Sequence, residues 1–320
     1  MIRKILTVFC AVLLLLCSGC KAASEASTGH DGLKVVTAVF PVYDWTREIA
    51  SGTDMDITLL MKNGSDMHNF QPSAQDIIAI HNADLFIYIG GESDEWVKDV
   101  LKEAPDSLHA LCLMDVLKDH LLDEEIQEGM TAEEEHEHEE HEEEKDEHIW
   151  LSLKNAIACT NSIASELSRC DEAHAGVYKE NRDKYAGKLE ELETAYQQAV
   201  LEGSTDTVVF ADRFPFVYLM KDLSLNYYAA FPGCSAETQA SFETVIFLSG
   251  KLDELNLRHV FTIENSTSDI ADTVISSSKD KTRDILVLNS MQSVTADQAA
   301  NETFLSIMEN NLEVLKKGLN

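Results

Sequence analysis

Basic residues are scarce in this chain of 320 residues. Lys and Arg together number 25 against 57 Asp and Glu, which gives a formal net charge of -32. A protein with this excess of negative charge repels nucleic acid and anionic lipid headgroups, and it concentrates cations near its surface. The composition therefore predicts no nucleic-acid partner and a surface that attracts cations.

Motifs of hydrolytic and phosphoryl-transfer catalysis are missing as well. The chain contains no H-E-x-x-H, no G-x-S-x-G and no phosphate loop. A metallohydrolase would also need an open coordination position and a placed general base. These absences favour a binding protein over an enzyme.

Cysteine is present, but its seven copies form no zinc-finger pattern. The four that lie beyond the N-terminal region, Cys112, Cys159, Cys170 and Cys234, are widely spaced. Export would permit disulfides, but a two-lobed protein of this size does not need them. The spacing of these cysteines therefore predicts no particular disulfide pairing.

A long hydrophobic run occurs at the N-terminus. A short basic segment, MIRK, precedes the apolar run ILTVFCAVLLLL, and together they predict a signal peptide over residues 1–19. Small residues before Cys20 resemble the lipobox of bacterial lipoproteins, so we expect Cys20 to carry lipid; a plain cleaved signal is the alternative. Residues 20–32 would be a polar tether that holds the protein at the outer face of the cytoplasmic membrane.

Short β-rich runs alternate with amphipathic segments along most of the chain. Continuous apolar runs such as DLFIYIG (84–90) are typical of strands in a sheet covered on both faces. Over 171–203 large side chains recur every three or four residues, which predicts one long helix. The pattern predicts an α/β fold of two lobes, 33–170 and 204–320, joined by that rigid helix, with the ligand in the cleft between them.

Two helices of the first lobe carry more detailed expectations. A helix over 73–83 is expected to place Ile77, Ile78 and Ile80 on its apolar side. A second helix over 93–104 is expected to begin at a Ser93 cap.

Acidic residues crowd the segment 123–147, where 15 Asp and Glu face one basic residue, Lys145. Such a run repels itself and buries no core, so it predicts a disordered loop. Imidazole and carboxylate groups both bind zinc, and His136, His138 and His141 would make the loop a weak metal collector. The alternative is a solvated loop without a role.

Two further histidines are candidates for a tight metal site. His68 follows the second predicted strand, and His148 adjoins the apolar run IWL. Burial keeps an imidazole neutral, and a neutral imidazole is a good ligand for a borderline metal. Asp66 and Glu147 lie beside these histidines in sequence and are candidates to orient the rings through their far nitrogens.

Five segments occur in an order that resembles the substrate-binding lipoproteins of bacterial zinc and manganese ABC importers, from about Leu33 to the end of the chain. They are VYDWTREIASG, DMHNFQPSAQDI, NADLFIYIGGESDEWV, DEHIWLSLKNA and NETFLSIMENNLEVLKKGL. The histidine-rich acidic insertion is similar to that of the zinc branch. The resemblance implies metal bound between two lobes by His68 and His148, an ABC permease as partner, and a monomer.

The resemblance also shows where this chain departs from the family. It places a third ligand, from the second lobe, at Arg213, but a guanidinium stays protonated and has no lone pair for a metal. It places an acid after the last strand, where this chain has Asn289 and Gln292. The second-lobe donors are therefore missing from their usual positions.

Zinc needs four donors, so three hypotheses about the missing donors stay open. Asp212, beside Arg213, supplies a carboxylate; its alternative roles are pairing with Arg213 or capping the next helix. A loop histidine such as His141 closes the site. Otherwise the second lobe has lost its ligands, and metal binds weakly or not at all. Glu264, at the end of a predicted strand, is a further candidate.

The sequence as a whole predicts an extracytoplasmic receptor that captures Zn²⁺ and delivers it to an ABC-type importer. Mn²⁺ or another divalent metal as the ligand, and a surface adhesin on the same scaffold, are the alternatives. Because capture would use neutral imidazoles, affinity should fall as pH drops through about 6.5.

Overall fold

The computed structural model describes residues 32–131, 144–235 and 239–320. These residues form two α/β lobes joined by one long helix, which confirms the predicted fold class. No helix in these ranges is both long enough and apolar enough to cross a membrane. Four residues to which the sequence assigns roles lie outside the described ranges: Cys20, His136, His138 and His141.

A parallel sheet of four strands in the order β2-β1-β3-β4 forms the centre of the first lobe. The strands are β1 (Lys34–Thr37), β2 (Asp56–Leu59), β3 (Leu85–Tyr88) and β4 (His109–Cys112). The helices are α1 (Phe40–Ile49), α2 (Ala74–His81), α3 (Trp96–Lys102), α4 (Leu113–Val116) and α5 (Leu153–Cys170). The central strands β1 and β3 are almost wholly buried, as their continuous apolar sequences predict.

The helix between the lobes, α6 (Ala175–Glu202), has 28 residues. At about 1.5 Å per residue it is roughly 42 Å long, enough to run along a whole domain. Its buried stripe contains the large side chains expected from the sequence: Tyr178, Tyr185, Leu189, Leu192 and Tyr196. The helix begins later than the predicted residue 171, because Glu172–His174 form a 3-10 turn.

A second parallel sheet, with the order β6-β5-β7-β8, repeats the topology of the first. Its strands are β5 (Thr207–Phe214), β6 (Asn226–Pro232), β7 (His259–Ile263) and β8 (Asp284–Leu288). Its helices are α7 (Val217–Leu223), α8 (Phe242–Glu254), α9 (Asp269–Ser277), α10 (Ala296–Asn301) and α11 (Phe304–Gly318). In parallel sheets all strands end at one edge, and ligands bind beyond that edge.

The C-terminal helix α11 ties the second lobe back to the first. Its first residue, Phe304, donates its backbone N–H to the buried carboxylate of Asp44 at 2.7 Å. The Phe304 ring also packs edge-on against the fully buried Trp45, with ring centroids 5.2 Å apart. Farther along α11, Met308 accepts a hydrogen bond of 2.7 Å from the Tyr196 hydroxyl of α6. The two lobes are thus held together by α11 as well as by α6.

Two local expectations for the first lobe are wrong. Ile78 is 59% exposed, because it is displaced by one residue, about 100° around α2, from Ile77; Ile80 is buried as expected. Ser93 does not cap α3, which starts later, at Trp96. The Ser93 side chain contacts a histidine instead.

The acidic segment is more ordered than its charge predicts. Residues 123–131 and 144–147 have defined positions, so the prediction of disorder across 123–147 is wrong for these residues. Glu124 donates its backbone N–H to the Glu144 carbonyl at 2.9 Å, and Thr131 donates its own to Ala230 of β6 at 2.8 Å. The first of these hydrogen bonds joins the two flanks of the segment to each other, and the second attaches Thr131 to the second sheet. They offset the repulsion between the carboxylates.

Candidate metal centre

Two short 3-10 turns position the histidines of the first lobe. His68 lies in the turn Met67–Asn69 after β2, where the Asp66 side chain accepts the His68 backbone N–H at 3.1 Å. His148 immediately precedes the turn Ile149–Leu151, whose residues are fully buried. Burial of the apolar residues that follow His148 fixes its backbone at the start of folded structure.

The two imidazoles face each other. His68 Nε2 and His148 Nε2 lie 3.2 Å apart, the His148 side chain is fully buried, and that of His68 is only 10% exposed. In a tetrahedral zinc site two imidazole nitrogens, each about 2.0–2.1 Å from the metal, are about 3.3 Å apart. The observed separation therefore fits two nitrogens that share one metal ion.

The far nitrogen of each ring has its own partner. His68 Nδ1 lies 2.8 Å from Ser93 Oγ, and His148 Nδ1 lies 3.1 Å from Asp146 Oδ1. Asp146 also accepts the His148 backbone N–H at 2.9 Å, in the Asx-turn manner. A partner on Nδ1 fixes the ring and leaves Nε2 free to face a metal.

Asp66 and Glu147, the two carboxylates expected to orient these rings, make other contacts in the structure. Asp66 holds the backbone of His68 rather than its ring. Glu147 accepts the Ser93 backbone N–H at 2.7 Å, and its other oxygen lies 3.8 Å from His68 Nδ1 rather than beside His148. Asp146 takes the orienting role because it lies two residues before His148, the spacing at which an aspartate side chain reaches both backbone and ring.

The surroundings of the two imidazoles shift their pKa values in opposite directions. Burial, assisted by the charges of His148 and Arg213 and opposed by Asp66, lowers the pKa of His68 to about 3. Burial also acts to lower the pKa of His148, but the Asp146 carboxylate and other nearby acids outweigh it and raise that pKa. His68 therefore keeps a free lone pair in mild acid, where His148 takes up the proton.

Arg213 points across the cleft instead of toward the imidazoles. Its Nη2 lies 2.6 Å from Asp66 Oδ2, so residues of the two lobes form an ion pair. This pair, with the charge of His68 also contributing, lowers the pKa of Asp66 although burial opposes the shift. At the position where the resemblance implies a ligand, Arg213 is thus the ion-pair partner of Asp66.

Neither second-lobe carboxylate predicted as a donor joins the two imidazoles. Asp212 accepts the backbone N–H groups of Arg213 at 2.9 Å and Ile263 at 3.4 Å. Glu264 accepts the backbone N–H and the hydroxyl of Ser290 at 2.6 and 2.7 Å. Both carboxylates line a cleft of about 420 Å³ beside the imidazoles.

Gln292, after β8, approaches both imidazoles. Its Nε2 lies 3.0 Å from His68 Nε2 and also contacts His148 Nε2. This is one of the two positions at which the sequence resemblance leads us to expect an acid. An amide either donates through its nitrogen or, when turned over, presents its oxygen to a metal.

Cys234 is the residue near the imidazoles that sequence reasoning missed. Its Sγ and the ring nitrogens of His68 and His148 all lie within 4.8 Å of one another. Burial, reinforced by carboxylates such as Glu124, raises the pKa of its thiol. Its place after β6, a strand of the second lobe that ends at the cleft, is the signal that could have identified it. It is one of four cysteines that form no disulfide within the described residues.

Gly233 lets His148 approach the second lobe. A Cβ at this position would lie only 2.9 Å from His148 Cε1 and 3.0 Å from the Phe214 carbonyl oxygen. The missing side chain therefore brings the end of β6 into direct contact with the imidazole. Cys234 follows Gly233 and is held in place because the Cys234 backbone N–H donates to the Glu124 carboxylate at 3.0 Å.

Two parallel-sheet lobes joined by a long helix, with the candidate ligands meeting in the cleft, define a solute-binding receptor. The family model described as zinc-uptake complex component A, periplasmic, matches residues 35–318. The chain belongs to this family, which confirms the resemblance drawn from the sequence.

Curated relatives share about three residues in ten with this chain. The zinc-binding protein AdcA of Streptococcus pyogenes serotype M3 is 30% identical over 296 residues, which cover 89% of this chain and 55% of AdcA. The high-affinity zinc uptake system protein ZnuA of Bacillus subtilis is 29% identical over 316 residues, 97% of this chain and 95% of that protein. The chain thus spans about half the length of its streptococcal relative and nearly the full length of the Bacillus one.

Solved structures show the same architecture. The zinc-bound ZnuA-like domain of Streptococcus pneumoniae AdcA has a TM-score of 0.71 and 25% identity, covering 90% of this chain and 99% of that domain. The metal-dependent lipoprotein YcdH of Bacillus subtilis has a TM-score of 0.72 and 25% identity, with the same coverage. The laminin-binding protein Lmb of Streptococcus agalactiae, at 23% identity and a TM-score of 0.73, shares the fold.

Because the pKa of His68 is lowered, stability should depend on pH and the His68 ring should titrate in strong acid. The unfolded imidazole takes up a proton near pH 6.5, whereas the folded one does so only near pH 3. The contribution of His68 to the free energy of unfolding is therefore complete above pH 6.5 and is lost as pH falls toward 3. An NMR titration of the metal-free chain should show a His68 ring that stays neutral at pH 5. A ring that titrates near 6.5 would contradict this assignment.

Proposed function

We propose that this chain is an extracytoplasmic receptor that captures Zn²⁺ in its inter-lobe cleft and delivers it to an ABC-type importer. The observation that carries the proposal is the 3.2 Å approach of His68 Nε2 and His148 Nε2. Relatives named as zinc-binding and zinc-uptake proteins, and a zinc-bound structure of one of them, support zinc as the ligand.

His68 and His148 are the primary ligands in this proposal. Both rings are oriented in advance by Ser93 and Asp146, so little order has to be gained when the metal arrives. Imidazole suits zinc, whereas manganese prefers oxygen donors, and this favours zinc over the manganese alternative. The metal leaves chemically unchanged, so the role is that of a receptor and not of an enzyme.

The cleft carboxylates attract the cation without ligating it. Asp212 and Glu264 line the cleft, but each already accepts backbone N–H donors. Their charge raises the local concentration of cations and speeds the encounter. This role replaces the one that the sequence suggested for them as direct donors.

The histidine-rich loop is proposed as a weak collector that supplies this site. His136, His138 and His141 would bind zinc loosely and in many arrangements. The loop is flanked by Thr131, whose backbone N–H donates to Ala230 of β6, and by Glu144, which pairs with Glu124. The Glu124 side chain in turn accepts the backbone N–H of Cys234. Metal released by the loop would therefore start close to the tight site.

A lipid on Cys20 and the tether that follows it would keep the receptor at the membrane, where its ABC permease lies. One relative, from Streptococcus pneumoniae, is named a zinc-binding lipoprotein, which supports the anchor. The receptor would act as a monomer. Release requires the permease to change the cleft, because the ion pair between Arg213 and Asp66 and the docking of α11 on α1 hold the lobes together.

Zinc should stabilise the folded chain, and the two histidines should be responsible. A ligand that binds only the native state at about 100 times its Kd adds about 2.7 kcal/mol to the free energy of unfolding. We expect zinc to raise the melting temperature of the unaltered chain and of the exposed control His120→Ala. The rise should be lost in the double variant His68→Ala, His148→Ala. No rise in the unaltered chain would refute zinc capture, and a full rise in the double variant would refute these ligands.

Deletion of residues 132–143 tests the loop. Residues 123–131 and 144–147 should be retained, because Asp146 orients His148 and Glu124 holds Cys234. Isothermal titration should show the tight zinc site unchanged and the additional weak binding removed. Loss of tight binding would instead identify a loop histidine as a ligand of the site.

A further inference from the structure

We infer that Cys234 supplies the second-lobe metal ligand that this chain lacks at Arg213. The cleft then holds zinc through two imidazoles and one thiolate. The inference rests on the proposed function, because it names a ligand of the same site.

The geometry brings three donors from both lobes to one point. His68 follows β2 and His148 precedes α5, while Cys234 follows β6 in the other lobe. Their donor atoms lie within 4.8 Å of one another. In a tetrahedral zinc site a sulfur and a nitrogen are about 3.6 Å apart, so a side-chain shift of about 1 Å is enough.

The backbone around Cys234 is built for this approach. Gly233 allows the loop to reach His148, since any Cβ there would meet the imidazole. Glu124 holds the Cys234 backbone through its N–H at 3.0 Å. On coordination the S–H bond is replaced by a metal–sulfur bond, and the proton leaves to the solvent.

Arg213 gives the reason why the second-lobe ligand is at Cys234 and not at residue 213. Its guanidinium pairs with Asp66 across the cleft at 2.6 Å, and a positively charged group at residue 213 cannot ligate a metal. The ion pair joins the lobes, a task that a second-lobe ligand at this position would perform through the metal. Ligation is thereby left to the neighbouring loop, and among its described residues Cys234 brings its sulfur near both imidazoles.

A thiolate also determines which metal the site prefers. Thiolate and imidazole together suit zinc, whereas manganese favours carboxylate, carbonyl and water oxygens. The amide of Gln292 contacts both imidazoles through its nitrogen, and turning the amide over would present its oxygen as the fourth donor. Cys234 therefore acts as a specificity determinant for zinc against manganese.

Cobalt substitution tests the inference, because a thiolate–cobalt bond gives a near-ultraviolet charge-transfer band that imidazole and amide ligands do not give. The detergent-solubilised full chain would be titrated with Co²⁺ under reducing conditions, and then with Zn²⁺ and Mn²⁺. The variants are Cys234→Ser and the matched control Cys170→Ser, at the half-buried last residue of α5. Cys234→His serves as a rescue variant.

We expect the band in the unaltered chain and in Cys170→Ser, and its absence in Cys234→Ser. Zinc affinity should fall at least about tenfold in Cys234→Ser, since loss of an orienting partner alone costs about 10–100-fold, and the preference for zinc over manganese should shrink. Cys234→His should recover zinc affinity without the band, which separates ligation from misfolding.

The failures of the two proposals are distinguishable. If the unaltered chain binds no zinc, the proposed function fails and this inference fails with it. If it binds zinc but its cobalt complex lacks the band, or if Cys234→Ser keeps both band and affinity, only the inference is overturned. Protection of Cys234 from alkylation by bound zinc, read by mass spectrometry, gives an independent check, and unchanged alkylation would count against the thiolate.

Discussion

Two imidazole nitrogens, from His68 and His148, lie 3.2 Å apart at the edge where the first sheet faces the second, and both lobes contribute to holding them there. Ser93 and Asp146 fix the rings from behind. Burial keeps His68 neutral, while Asp146 offsets the effect of burial on His148. A borderline cation needs both pre-oriented nitrogens unprotonated, a condition that His68 meets even in mild acid and that His148, with its raised pKa, meets only at higher pH. The acidic surface brings the cation to the pair.

The second lobe both connects to the first lobe and brings side chains to the two imidazoles, and in this chain different residues perform these two tasks. The ion pair of Arg213 with Asp66 connects the lobes at the position where the family has a ligand. The Cys234 sulfur and the Gln292 amide reach the imidazoles from the neighbouring loops. Because the task of joining the lobes no longer depends on the metal, the ligand set is free to change while the fold stays the same.

Local patterns were enough to predict the lobes and the long helix, since strand and helix periodicity are properties of adjacent residues. His68 and His148 were proposed as ligands because of the resemblance to a family, and the structure brings their ring nitrogens together. Cys234 was not predicted, because it approaches His148 only through the packing of one lobe on the other. Its place after a strand was the one local signal for it. Asp146, which orients the His148 ring, was not among the predicted orienting residues for another reason. Sequence adjacency does not encode the turn that aims Asp146 at the ring. Charge alone likewise predicted disorder in residues 123–131, which backbone pairing holds in place.

One zinc ion is expected between the lobes, on the His68 and His148 nitrogens. Diffraction from zinc-soaked crystals at the zinc absorption edge would locate it. We expect an anomalous peak about 2.0–2.1 Å from both Nε2 atoms and about 2.3 Å from the Cys234 sulfur. A strong peak elsewhere in the cleft, or on carboxylates such as Asp212 and Glu264 with the imidazoles uncoordinated, would contradict it.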